Sequence, residues 1–148
     1  MGNNTSLNVL VVDDSLIIRR NISNILEELG HTVVSEATNG QEAITMYKEY
    51  KPDVVTMDIT MPDMNGIDAL ELIRDFSPDV KIIMMTAHGQ EDMVIKAIKA
   101  GAKAYILKPV TSIKVVESIN KLFKQNLTQE HIGDDLGEFK EIDDDFTM

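Results

Sequence analysis

Short β-branched runs alternate along the chain with segments of helical period, the pattern of βα units built around a parallel sheet. Five runs predict strands: Val9-Leu10-Val11-Val12, Thr32-Val33-Val34-Ser35, Val54-Val55-Thr56-Met57, Lys81-Ile82-Ile83-Met84-Met85 and Ala104-Tyr105-Ile106-Leu107. The first, third and fourth are nearly all apolar, which suits strands covered by helices on both faces. Between the first two, Ile18, Ile22, Ile25 and Leu29 form one apolar stripe, and Gly30 follows as a C-terminal stop. Asn39-Gly40 opens a second helix carrying Ala43, Ile44 and Tyr47, which Lys51-Pro52 closes. Asn65-Gly66 precedes a third, with Ile67, Leu70, Ile73 and Phe76 at steps of three before Ser77-Pro78. A fourth is expected from Glu91 to Ala100. A fifth runs from Thr111 to Gln125, with Val115, Ile119, Leu122 and Phe123 on one side.

Charge divides the chain where the periodicity ends. Residues 127–148 carry a net −7 and the preceding 126 residues only −4. The expected organisation is a disordered lead-in over 1–6, one folded domain over 7–126 and an acidic tail over 127–148. Ile132, Leu136, Phe139, Ile142 and Phe146 recur in the tail at helical steps. Two readings stand there, a solvated acidic extension and an amphipathic helix that docks on the domain or a partner. The acidic excess leaves no basic surface for nucleic acid, and no apolar run approaches the roughly 18 residues of a membrane helix. With no cysteine, disulfides and thiol chemistry are excluded, and a cytoplasmic protein without membrane insertion is expected. Matches to acylation and glycosylation patterns at Gly2, Asn3, Asn4 and Asn126 read as chance in polar flanks.

The chemistry-bearing residues share one kind of place. Asp13 and Asp14 follow the first strand, Asp58 the third, Thr86 the fourth and Lys108 the fifth. In an open parallel sheet all strand C-termini lie along one edge, where ligand crevices form. Taken singly, each residue is more often a helix cap or a solvated loop end than a functional group. Capping alone does not account for their joint placement. Two carboxylates about 4 Å apart repel by roughly 4 kcal/mol at an effective dielectric near 20, so a set of three calls for a cation. Oxygen ligands select a hard ion, and Mg2+ suits one or two carboxylates shared with phosphate oxygens. Lys108 offers a point charge and Thr86 a hydroxyl donor to phosphoryl oxygens, while Asp58, alone at its strand end, is placed as a phosphoryl acceptor. Lys108 precedes Pro109, making that bond a candidate for cis.

With VVDDS, MDITMPDMNG, MMTA and LKP in order, the chain resembles the receiver domains of bacterial two-component response regulators over about residues 7–126, and within them the single-domain chemotaxis CheY type. The resemblance implies a (βα)5 doubly wound, flavodoxin-like fold with strand order 2-1-3-4-5. It implies phosphorylation of Asp58 by a histidine kinase, with Mg2+ held by Asp14, Asp58 and the Thr60 backbone carbonyl, and by Asp13 through water. Thr86 and Lys108 would contact the phosphoryl group, and Thr86 with Tyr105 would form the switch. Thr60 and His88 occupy positions that tune phosphoryl lifetime and differ here from the Asn and Glu common in the chemotaxis type. Implied partners are the kinase, a downstream target such as a flagellar switch component, and a phosphatase. The domain would catalyse only its own phosphorylation and dephosphorylation. A phosphorelay intermediate, passing its phosphoryl group to a histidine phosphotransfer domain, is the alternative. A flavodoxin-like cofactor carrier is disfavoured because Asp13 and Asp14 would repel its phosphate, and a haloacid-dehalogenase phosphatase because the lone Asp lies on the third strand.

Overall fold

Residues alternate between the two sides of each strand, so the apolar runs must be roofed on both. The computed structural model describes residues 5–123; residues 1–4 of the expected lead-in and the acidic tail at 127–148 lie outside the described residues. The elements run β1 (Asn8–Val12), α1 (Leu16–Glu28), β2 (Thr32–Ala37), α2 (Gly40–Tyr50), β3 (Val54–Asp58), α3 (Gly66–Phe76), β4 (Ile82–Thr86), α4 (Glu91–Ala100), β5 (Ala104–Leu107) and α5 (Ser112–Phe123). All neighbouring strands pair in parallel, in the order β2-β1-β3-β4-β5, as the resemblance implied.

Leu10, Val12, Val55, Met57, Ile82 and Met84 pack on one side with residues of α2, α3 and α4. Val9, Val11, Val54, Ile83 and Met85 pack on the other with α1 and α5. β3 and β4 are buried along their whole length, whereas β2, at one edge, is largely half-exposed. Each fully buried aliphatic side chain contributes about 1.5–3 kcal/mol, and these two clusters hold the strand ends in fixed register. Among the described residues no helix is long and apolar enough to cross a membrane.

Helix starts follow the polar punctuation. Ser15, Asn39 and Asn65 accept hydrogen bonds from the N–H groups of Ile18, Glu42 and Asp68. Gly30 takes a left-handed φ of 94° just beyond α1.

One expected core position is not in the core. Phe76 is 44% exposed, while Ile67, Leu70 and Ile73 are buried. Steps of three fall short of a full turn by about 60° each, so after three steps the fourth residue has rotated to the opposite side of the helix. The Phe76 ring instead lies 6.0 Å from Tyr47, with Lys48 4.8 Å above it.

Candidate functional site

The parallel sheet brings the C-terminal ends of β1, β3, β4 and β5 to one edge. Asp58 and Thr86 are the last residues of β3 and β4, while Asp13, Asp14 and Lys108 lie just beyond β1 and β5. One carboxylate oxygen from each of Asp13, Asp14 and Asp58 lies within 4.8 Å of the others. Lys108 Nζ stands 3.2 Å from Asp13 Oδ2 and 3.2 Å from Asp58 Oδ1. Asp13 and Asp58 are buried, and Asp14 faces solvent.

This crowding is electrostatically costly. Burial pushes the Asp58 carboxyl up to about 6, and the negative charge of Asp13 adds to the rise while Lys108 opposes it. Burial alone would lower the Lys108 ammonium, but Asp58 and Asp13 outweigh it and hold the group above its ordinary value. Three carboxylates face one ammonium, so the cluster keeps an excess of negative charge in a partly dehydrated crevice. The oxygen-only donor set and the short separations fit a hard divalent cation such as Mg2+.

Local contacts fix Asp13 and the backbone on either side of Lys108. Asp13 Oδ1 accepts the Ser15 N–H at 2.9 Å, and the Asp13 carbonyl accepts Arg19 Nη1 at 2.7 Å. Arg19 is itself paired with Glu36 at 2.9 Å. The cis Lys108-Pro109 bond marked in the sequence is present. Lys114 Nζ donates to the carbonyls of Leu107 and Pro109 at 2.8 and 3.0 Å, bracketing Lys108. Neither Asp13 nor Asp14 caps α1, since Ser15 does.

Gly66 sets the approach of α3 to β3. Its N–H donates to Ile59 O at 2.7 Å, and a Cβ there would penetrate the backbone carbonyl of Asp58. We expect Gly66→Ala to destabilise the fold by about 1–3 kcal/mol, because backbone rather than a flexible side chain must yield. Chemical denaturation checks this, and an unchanged midpoint would show that β3 and α3 separate freely.

Thr86 is 1% exposed and donates its hydroxyl hydrogen to Gln90 Oε1 at 2.9 Å. Gln90 Nε2 in turn donates to Thr60 Oγ1 in the loop after β3. His88 is exposed in the loop after β4. Tyr105 is half-buried on β5 against the α2–α4 side of the core, and burial raises its hydroxyl pKa. Asp13, Asp14, Asp58 and Lys108 thus converge. Thr60 and Thr86 are linked to each other through Gln90.

Sequence reasoning missed Gln90, Arg19, Lys114 and Gly66 as parts of this site. Arg19 follows the N-cap Ser15 by one helical turn, a spacing that aims it back at the end of β1. Gln90 carried only a weak signal, a polar residue in the loop after a strand that bears chemistry.

A family model described as the response regulator receiver domain matches residues 9–120. The chemotaxis protein CheY of Thermotoga maritima is 54% identical over 116 residues, which cover 78% of this chain and 97% of that protein. The chemotaxis protein CheY of Bacillus subtilis is 51% identical over 113 residues, covering 76% and 94%. Among solved structures, a chain of the CheX–CheY–BeF3–Mg2+ complex from Borrelia burgdorferi superposes with a TM-score of 0.75 at 37% identity, over 78% of this chain and 88% of that one.

Proposed function

The chain belongs to the response regulator receiver family, of the CheY type, and from that premise we propose that it is a signalling switch that accepts a phosphoryl group on Asp58 from a histidine kinase. The observation that carries this reading is the double 3.2 Å contact of Lys108 with Asp13 and Asp58 inside a three-carboxylate cluster.

An Asp58 carboxylate oxygen attacks phosphorus in line with the N–P bond of a phosphohistidine. The O–P bond forms as the N–P bond breaks, and the electron pair stays on the departing imidazole, which takes up a proton. Lys108 neutralises one negative charge on the transferring group, and Thr86 donates to another of its oxygens. Asp14 and Asp58 would hold Mg2+ directly, Asp13 through water and Thr60 through its backbone carbonyl; when bound, the ion supplies positive charge against the phosphoryl oxygens. In the return reaction water attacks phosphorus, the acyl O–P bond breaks and the Asp58 carboxylate is regenerated. Thr60 and His88 flank the approach of that water and set its rate.

Thr86 and Tyr105 form the relay from the site to the surface of α4, β5 and α5, whose partner preference changes with phosphorylation. A few kcal/mol of differential interaction suffices for such a shift. The output proposed is chemotaxis through a flagellar switch component, supported by the two CheY relatives, with a phosphatase closing the cycle. Reversible transfer to a histidine phosphotransfer domain would instead mark a phosphorelay intermediate.

The test follows the fate of an acyl phosphate. With Mg2+, one equivalent of chain is expected to take up close to one phosphoryl group, and chelation with EDTA is expected to abolish uptake. Release of phosphate that continues at many turnovers per second would contradict the switch and indicate a phosphoesterase.

A further inference from the structure

Gln90 occupies the N-cap position of α4 yet makes no capping hydrogen bond with its side chain. That side chain instead turns back along the edge of the site. Its Oε1 accepts the Ala87 N–H at 2.7 Å. A backbone N–H can only donate, so the atom facing it is the amide oxygen and not the nitrogen. Thr86 Oγ1 lies 2.9 Å from the same oxygen and must therefore act as the donor. A threonine hydroxyl has one hydrogen, and here it is committed. The remaining acceptor near it, the Ala87 carbonyl, is distant at 3.4 Å. At the other end of the amide, Nε2 donates to Thr60 Oγ1, which anchors Gln90 to the loop after β3.

We propose that Gln90 is a positioning residue that withholds the Thr86 proton from the phosphoryl site, so that phosphorylation of Asp58 must displace Thr86 from Gln90. The inference rests on Asp58 being the acceptor. Thr86 is buried, so water does not relieve the competition between the two acceptors. When Thr86 leaves, Gln90 Oε1 keeps the Ala87 N–H and is not orphaned, so the exchange trades one hydrogen bond for another. Gln90 thereby holds the resting state, and through Thr60 and the Ala87 N–H it ties the loops after β3 and β4 together.

Calorimetric titration with beryllofluoride in the presence of Mg2+, a mimic of the phosphoryl group, tests this on the full chain. Gln90→Met keeps the volume and removes the acceptor, and it is expected to bind the mimic about fivefold tighter, the value of one modest hydrogen bond. In a Thr86→Ala background the same Gln90→Met change is expected to have no effect, which a merely structural role of Gln90 would not produce. Gln90→Glu keeps the acceptor oxygen and is expected to bind the mimic no tighter than the wild type. Equal affinity for wild type and Gln90→Met, a gain that persists without the Thr86 hydroxyl, or tighter binding by Gln90→Glu would each overturn the proposal. A wild type that binds Mg2+ but not beryllofluoride would instead overturn the Asp58 reading beneath it.

Discussion

Replacing Asp58 with Asn is expected to stabilise the metal-free protein by about 2–3 kcal/mol at neutral pH, raising Tm by roughly 5–10 °C. The Asp58 carboxyl is pushed from 3.8 to about 6, by burial first and by Asp13 next, with Lys108 pulling the other way. Its folded value lies above its unfolded one, so the folded state binds the extra proton between these limits. Stability is therefore lost as pH rises from about 4 to about 6, and above that the cost is constant. The advantage of the Asn variant is expected to be near zero at the acid end and full above the folded value. Mg2+ should close the gap from the other side, because a cation that binds the native wild type stabilises it by mass action. Denaturation at several pH values, in EDTA and in Mg2+, measures both effects. An Asn variant no more stable than wild type at neutral pH in EDTA would contradict the charge crowding.

Lys108→Met is expected to act in the opposite direction, destabilising the metal-free chain by about 2–4 kcal/mol, since it leaves two buried carboxylates without their ammonium. Lys108 is within 3.2 Å of both Asp13 and Asp58, and those side chains are only 1% and 9% exposed. Because one of the two is Asp58, the cost should shrink in an Asp58→Asn background, with a coupling of about 1–3 kcal/mol. Equilibrium denaturation of the four proteins in the cycle gives the number. Additive effects would show that Lys108 stabilises through its aliphatic stem and not through the carboxylates.

The fold was legible in the sequence because its strongest signals are the physical requirements of a two-sided sheet. Apolar runs at β1, β3 and β4 demand burial on both faces, and Asn39-Gly40 and Asn65-Gly66 mark helix starts that the structure places at those residues. The strand order followed only from the resemblance, since periodicity does not say which strand neighbours which. Phe76 misled because spacing by three looks like a stripe over two turns and drifts off it over three. The carboxylates and Lys108 were legible because charge at the end of an apolar strand does nothing for the packing of the sheet, and four strands carry polar chemistry at the same end. Gln90 and Arg19 were not, because a hydrogen bond from Gln90 to Thr60 spans thirty residues and depends on two loops meeting. Gly66 declared itself as a turn residue, while its closer constraint, contact with the Asp58 carbonyl, appears only once α3 is packed.

The most direct measurement is intact-mass analysis of wild type and Asp58→Asn, incubated side by side with Mg2+ and an acyl phosphate. The wild type is expected to gain the mass of a single phosphoryl group and the variant, folded and more stable, to gain none. Equal labelling of both chains, or a wild type that stays unlabelled, would contradict the assignment of Asp58 as the acceptor.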